Sequence, residues 1–238
     1  MSEAARRAPP PPHCDLWILA RRQTAGRGTR GRSWTLPEGN LATTYLTRRT
    51  RPPQEAALTS FEAALALGDT LANYTDQIAL KWPNDVLVRG CKIAGILLES
   101  ASGGAGEPWL SIGFGVNIAA VPPAAALRAG GLTPICLADL DARSIRDPEA
   151  APGVEEVLTL LASNLRRYRR IYAEEGFEPI RSAWSARAHG LDRRVEVTTG
   201  EVVQRGLFRG LGEDGCLVLE TARGPVRIAS GDVRYEED

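Results

Sequence analysis

Of the 29 basic residues in this chain, 27 are arginine and two, Lys81 and Lys92, are lysine. Arginine carries a broad planar fork and lysine a compact, strongly hydrated point charge, so a site needing one small cation between crowded anionic oxygens cannot exchange them. Two lysines kept in an arginine-rich chain are therefore the first candidates for chemistry. Lys81 opens Lys81-Trp82-Pro83-Asn84-Asp85, a polar turn at the end of an apolar strand. There the ammonium, amide and carboxylate could meet a phosphate, a hydroxyl and a magnesium ion respectively. Lys92 opens Lys92-Ile93-Ala94-Gly95-Ile96-Leu97-Leu98-Glu99. Gly95 interrupts that strand, and a glycine inside a strand marks a close backbone approach or a bulge.

A third motif is Gln23-Thr24-Ala25-Gly26-Arg27-Gly28-Thr29-Arg30-Gly31-Arg32-Ser33-Trp34. Its glycines let the backbone approach a ligand, its arginines present forks to carboxylate or phosphate, and Trp34 offers a face for stacking. A loop so rich in glycine is expected to order around an anion. It fits neither GxxxxGK[ST] nor a strand-borne GxGxxG, which excludes phosphate-loop and Rossmann readings. A solvated arginine-glycine segment or a nonspecific RNA contact is the alternative. The fourth motif, Gly113-Phe114-Gly115-Val116-Asn117, again joins strand glycines to a terminal amide.

These residues need a scaffold. Leu16 to Arg21, Asn40 to Thr47, Ile78 to Trp82, Val86 to Val88, Lys92 to Leu98 and Leu110 to Val116 read as short strands. Arg89-Gly90-Cys91 reads as a hairpin loop, which would set Val88 opposite Lys92 and Asn84 near Ile96. At ~3.3 Å per residue, Lys92 and Asn84 then lie roughly 13 Å apart, a span suited to an extended ligand such as an acyl group joined to a nucleotide. Pro53 to Asn73 reads as a helix that should cover one face of the sheet, and Gly153 to Glu175 and Phe177 to Ala188 read as two further helices. From about Leu191 the pattern turns to closely spaced strands: Arg194 to Thr198, Val203 to Arg209, Cys216 to Glu220 and Val226 to Ala229. The expected architecture is α+β: a mixed, mainly antiparallel sheet with helices over residues 1–190, then a small β-barrel over 191–238.

The 238 residues carry no net charge, which removes a global basic field as a reason to expect DNA or RNA. No apolar run is long enough for a membrane span and the start lacks a signal peptide's apolar stretch, so a cytoplasmic protein is expected. The cysteines, Cys14, Cys91, Cys136 and Cys216, and the histidines, His13 and His189, show no zinc spacing.

Taken together and in order, the four motifs resemble the catalytic domain of biotin protein ligases, which show a GRGRRGRxW loop, a KWPND turn, a K[LI]AGIL strand and a G[IF]G[IV]N strand. The resemblance implies a class II synthetase-like catalytic domain followed by an SH3-like barrel. It also implies a two-step reaction in which biotin and MgATP give biotinyl-adenylate, and a lysine of a biotin carboxyl carrier domain, of acetyl-CoA carboxylase or a related carboxylase, then takes the biotinyl group. By the same resemblance Lys92 and Arg27 are the catalytic cations. Gln23, Gly26, Arg27, Gly28, Thr29, Lys92 and Gly95 line the biotin side. Arg30, Arg32, Trp34, Lys81, Asn84, Asp85 and Asn117 serve ATP, with Trp34 over the adenine and Asp85 on magnesium. A homodimer is compatible with the family; DNA and membrane are not expected as partners.

The chain departs from the family at Thr29, where arginine is usual. At the start, Met1-Ser2-Glu3-Ala4-Ala5-Arg6-Arg7 is similar to the second half of a Ser-Thr-Asn/Met element, and the expectation is that a strand ending in Ser-Thr precedes Met1. No winged-helix segment precedes the catalytic motifs, so the resemblance is to monofunctional ligases. Lipoate ligases share the adenylate strategy, but their RRxxGGGxVxHD-like segment has no counterpart here. From another class, a noncatalytic protein could use the Arg-Gly loop to hold a partner.

Overall fold

The computed structural model of the chain describes residues 15–48, 51–102, 108–127, 130–143 and 145–235. The Met1 to Arg7 segment lies outside the described residues, as do His13 and Cys14. Six strands form one sheet: β1 (Leu16–Ala20), β2 (Leu41–Arg48), β3 (Ile78–Lys81), β4 (Asp85–Val88), β5 (Cys91–Ser102) and β6 (Pro108–Val116), in the order β1-β2-β6-β5-β4-β3. Every pairing is antiparallel. The short connections among β3, β4, β5 and β6 dictate this, since parallel neighbours would need long crossovers.

Helices cover one face. α1 (Thr59–Leu71) buries Phe61, Leu65, Leu67 and Leu71, and α2 (Val154–Glu175) turns Val157, Leu161 and Leu165 inward. α3 (Glu178–Ser185) adds Ile180 and Trp184, the latter edge-on to Phe61 at 5.5 Å between ring centroids. The helix expected from Pro53 is in fact divided: one turn at Pro53–Ala56 precedes α1, which ends at Leu71 and leaves Ala72 exposed. Asp69 ties the helices together, accepting hydrogen bonds from Tyr168, Arg167 and Arg187.

The β4–β5 hairpin is tighter than the spacing suggested. Arg89 (φ 52°) and Gly90 (φ 75°) are its two loop residues, both left-handed, as a two-residue hairpin turn of this twist requires. Val88 therefore faces Cys91 and Leu87 faces Lys92, and a register shift follows between Val86 and Leu87. The shift restores the expected pairing at the far end, where the Ile96 amide donates to the Asn84 carbonyl at 2.9 Å.

The C-terminal unit is a five-stranded antiparallel sheet in the order β10-β9-β8-β7-β11. Its strands are β7 (Arg194–Thr199), β8 (Val202–Leu211), β9 (Leu217–Thr221), β10 (Gly224–Ile228) and β11 (Asp232–Tyr235). Four were expected; β11 was not. The unit docks on the lysine-tryptophan turn: Trp82, 2% exposed, donates its indole N–H to the Gly215 carbonyl at 3.4 Å. The connecting residues extend the large sheet, because Leu80 donates to the Arg187 carbonyl and accepts from the His189 amide, each at 2.8 Å.

Candidate functional site

Sheet register gathers the motif residues into one line. Across the strands run Ala20, Ala42, Gly115, Gly95, Asp85 and Lys81, each directly opposite the next. Small side chains thus occupy the first four places of the row and charged ones the last two. The row lies in a cleft of about 1310 Å³ that is also lined by Gln23, Arg27, Trp34, Lys92 and the last strand, β11.

Trp34 explains the two glycines. Its indole lies across them, so that a Cβ on Gly115 would fall inside the ring and one on Gly95 would come within 3.4 Å of Cζ3. The close approach read from strand glycines is therefore real, but a side chain of the same molecule makes it. The ring rests on the floor of the cleft, against Gly95 of the expected biotin side. The indole N–H is buried with no hydrogen-bond partner among the described residues.

Lys92 reaches back along its strand. Its ammonium is 2.5 Å from Asp85 Oδ1 and 5.2 Å from the centre of the Trp34 ring, and a Cβ on Gly95 would lie 3.5 Å from it. The roughly 13 Å counted along the backbone therefore does not separate Lys92 from the turn, because a lysine side chain covers much of that span. Lys81 sits on the other side of Asp85 as its partner in the ladder and is only 9% exposed. Burial lowers the Lys81 pKa below its usual value; Lys92 and Arg32 push the same way, and Asp85 and Asp232 oppose. An anion arriving beside these lysines would relieve that cost. Asn84 faces Ile96 and donates from Nδ2 to its carbonyl at 2.6 Å, which pins the turn.

The arginine loop is folded, not splayed. The Gly28 amide donates to the Arg32 carbonyl at 2.8 Å, the Trp34 amide donates to the Gly26 carbonyl at 2.9 Å, and Arg27 bridges to Ser33. Gly26 is packed against Trp34 and Gln23 at the loop's base. Arg30, at φ 59°, adopts a left-handed conformation that a side-chain-bearing residue holds only when its surroundings compel it. Its side chain pairs with the C-terminal unit: Arg30 reaches Asp232 Oδ2 at 3.0 Å and Arg32 reaches Oδ1 at 2.9 Å. The loop arginines thus meet a carboxylate of the C-terminal unit. Thr29 takes part, accepting from Arg32 through its hydroxyl at 3.2 Å and its carbonyl at 3.1 Å. Arg27 lies 3.9 Å from Glu99.

One expected site residue stands apart. Asn117 is 1% exposed and does not border the cleft; it donates from Nδ2 to the Ile135 carbonyl at 3.1 Å, and its Oδ1 is buried without a partner among the described residues. Its work in this structure is to hold the 133–137 segment against β5 and β6. Sequence reasoning missed Asp232, Tyr235, Thr44 and Glu99, all of which line the cleft. Thr44 and Glu99 could have been reached by stepping two residues at a time from Ala42 and Gly95. Nothing near Asp232 or Tyr235 points to residues so distant in sequence.

Comparison with known proteins agrees with this geometry. Residues 9–117 match the Biotin/lipoate A/B protein ligase family and residues 190–234 match the Biotin protein ligase C terminal domain. The chain is 41% identical to the biotin--[acetyl-CoA-carboxylase] ligase of Paracoccus denitrificans, over 92% of this chain and 90% of that one. It is 29% identical to a bifunctional ligase/repressor of Escherichia coli over 85% of its own length, covering 60% of that longer protein. A solved biotin protein ligase of Aquifex aeolicus, in complex with biotin and ATP, superposes with a TM-score of 0.75 over 92% of this chain and 89% of that one, at 23% identity. Identity at the level shared with the Paracoccus enzyme, across nearly the whole of both chains, places this protein in the biotin protein ligase family.

Proposed function

We propose that the protein activates biotin with ATP and transfers it to a lysine of a biotin carboxyl carrier domain. The observation that carries this reading is the row of small residues ending in Asp85 and Lys81, with Lys92 paired to Asp85 beside it, beneath a loop whose arginines bind a carboxylate. In the first step a biotin carboxylate oxygen attacks the α-phosphorus and pyrophosphate leaves. Two anions must be held together, so cations must neutralise both and follow charge onto the phosphorus. Lys92, central in the cleft, is the cation for the carboxylate and the α-phosphate, with Arg27 beside it. Lys81, Arg30 and Arg32 face the nucleotide phosphates, and Gln23, Gly26, Gly28, Thr29 and Gly95 belong to the biotin side. In the second step the carrier lysine attacks the acyl carbon and AMP leaves.

Magnesium fits as a substrate-borne ion. Asp85 would hold it together with phosphate oxygens, since Mg²⁺ is commonly bound through one or two carboxylates plus substrate. Among the described residues no cluster of three or more His, Cys, Asp or Glu forms a standing metal site. When bound, the ion would neutralise the departing pyrophosphate.

The division at residues 190 and 191 is supported by the separate sheets and by the two family matches. No described helix is long and apolar enough to cross a membrane, which accords with work in the cytoplasm. The lipoate reading is disfavoured by the match of residues 190–234 to a biotin ligase C-terminal domain. Mass spectrometry of a carrier domain incubated with the protein, MgATP and either biotin or lipoate tests the reading directly. A gain of one biotinyl group is expected; a lipoyl gain or an unchanged mass would overturn it.

A further inference from the structure

Tyr235, at the end of β11, lies against residues from two other parts of the chain. Its ring centre is 5.9 Å from the Lys81 ammonium and 4.5 Å from the His189 imidazole, which meets it edge-on. Its hydroxyl donates to the His189 carbonyl at 3.1 Å, and His189 in turn donates its amide to Leu80, the residue before Lys81. The ring fills the space above Gly190, where φ is +76° and a Cβ would fall inside the ring. Tyr235 is thereby fixed on one side by the connection between the two sheets and turns its other side to Lys81, and both border the cleft.

Lys81 needs such a support. It is almost buried, its Nζ makes no close side-chain hydrogen bond among the described residues such as the one Lys92 makes with Asp85, and a flexible four-carbon stem carries its charge. An aromatic face within about 6 Å of an ammonium attracts it through the ring quadrupole and does so more strongly when water is excluded. The attraction narrows the range of positions open to Nζ while leaving its hydrogens free for a phosphate. The neighbouring imidazole does not repel the lysine: burial first, then the charges of Lys81 and Arg193, lower the His189 pKa below its usual value and favour the neutral ring. Burial and the nearby Asp85 raise the Tyr235 pKa, so the phenol stays protonated and keeps its bond to the His189 carbonyl.

We propose that Tyr235 is a positioning residue for nucleotide binding, which holds the Lys81 ammonium toward the phosphates through its ring face. The C-terminal unit would then contribute to the reaction through a named side chain. This rests on the assignment of Lys81 to the nucleotide made above.

The test is biotin-dependent pyrophosphate release by the full chain, with KM for ATP and for biotin measured separately. Tyr235→Phe keeps the ring and should hold KM for ATP within about twofold of the parent. Tyr235→Leu and Tyr235→Met remove the quadrupole and should raise it several-fold, a change in line with a partly desolvated cation–π contact, while KM for biotin stays within about twofold. The two aliphatic variants differ in shape, and Tm with far-UV circular dichroism identifies whichever remains folded. In a Lys81→Met background, Tyr235→Met should add little further change, because its action passes through Lys81. If the aliphatic variants leave KM for ATP unchanged, raise both KM values alike, or act equally without Lys81, the ring is only structural and the proposal falls. A Lys81→Met protein with the parent's KM for ATP would instead remove Lys81 from the nucleotide site, and with it the premise. That outcome is distinct from failure of biotin transfer itself, which the carrier-domain mass reports.

Discussion

Lys92 illustrates how a single side chain can be marked by type and then relocated by geometry. Its ammonium stands between Asp85, the Trp34 ring and the glycine floor, a space shaped for a compact cation. A guanidinium is wider and binds through a planar fork, so Lys92→Arg should abolish adenylate formation despite keeping the charge. Pyrophosphate release near the parent rate would remove Lys92 from the mechanism. Lys81 lies at the end of the row and, in the function proposed above, serves the nucleotide phosphates. Lys81→Arg should be milder, raising KM for ATP more than it lowers kcat; equal severity in the two arginine variants would contradict the division of roles.

At the scale of elements, the paired glycines of β5 and β6 are explained by the loop that crosses them. Gly115→Ala forces a methyl group into the indole of Trp34, and such overpacking costs about 1–3 kcal/mol. Gly95→Ala meets the same ring only at 3.4 Å and should cost less. Urea unfolding of both variants checks the order, which would reverse if Trp34 did not rest on Gly115. The helical layer has its own signature in pH. Burial alone would raise the Asp69 pKa, but hydrogen bonds from Tyr168 and Arg187 and the charges of Arg187 and Arg167 outweigh it and bring the value below 3.8. A carboxylate lowered on folding stabilises the native state above its unfolded value, and the contribution disappears as pH falls through the folded one. The stability gap between the parent and Asp69→Asn should therefore be constant above about pH 5 and narrow below about pH 4. Denaturant midpoints across that range would show it; a gap that persists into acid would assign Asp69 no ionic role.

The whole molecule is joined at the mouth of the cleft, where Asp232 of the C-terminal unit holds Arg30 and Arg32 of the N-terminal sheet's first loop. These side chains are about one-third to two-fifths exposed, so the pairs add little to global stability, of order 0–1 kcal/mol. Their effect is local, since they oppose opening of a loop that offers three arginines to a protease. Asp232→Asn should leave Tm almost unchanged while trypsin cleaves the loop several-fold faster without ligand. Unchanged cleavage at Arg27, Arg30 and Arg32 would mean that the loop holds itself closed.

How much of this was legible beforehand follows from the range of each physical signal. Period-two patterning, glycine in strands, turn chemistry and the choice of lysine over arginine are local, so the sequence by itself determined the α+β class, the six strands of the large sheet, the four motifs and the lysine pair. Local patterns are weaker where neighbours compete: the two left-handed residues Arg89 and Gly90 shortened a hairpin expected to take three. β11 was missed because four residues after Ser230 and Gly231 look like a turn until β7 pairs with them. Tertiary structure alone decided that Trp34 lies on Gly95 and Gly115, that Asn117 turns away from the cleft, and that Asp232 and Tyr235 come to the arginines and Lys81. The longest of those contacts join residues 200 or more positions apart. They depend on sheet register and on the docking of two sheets, quantities set by packing across the whole molecule and carried by no stretch of sequence on its own.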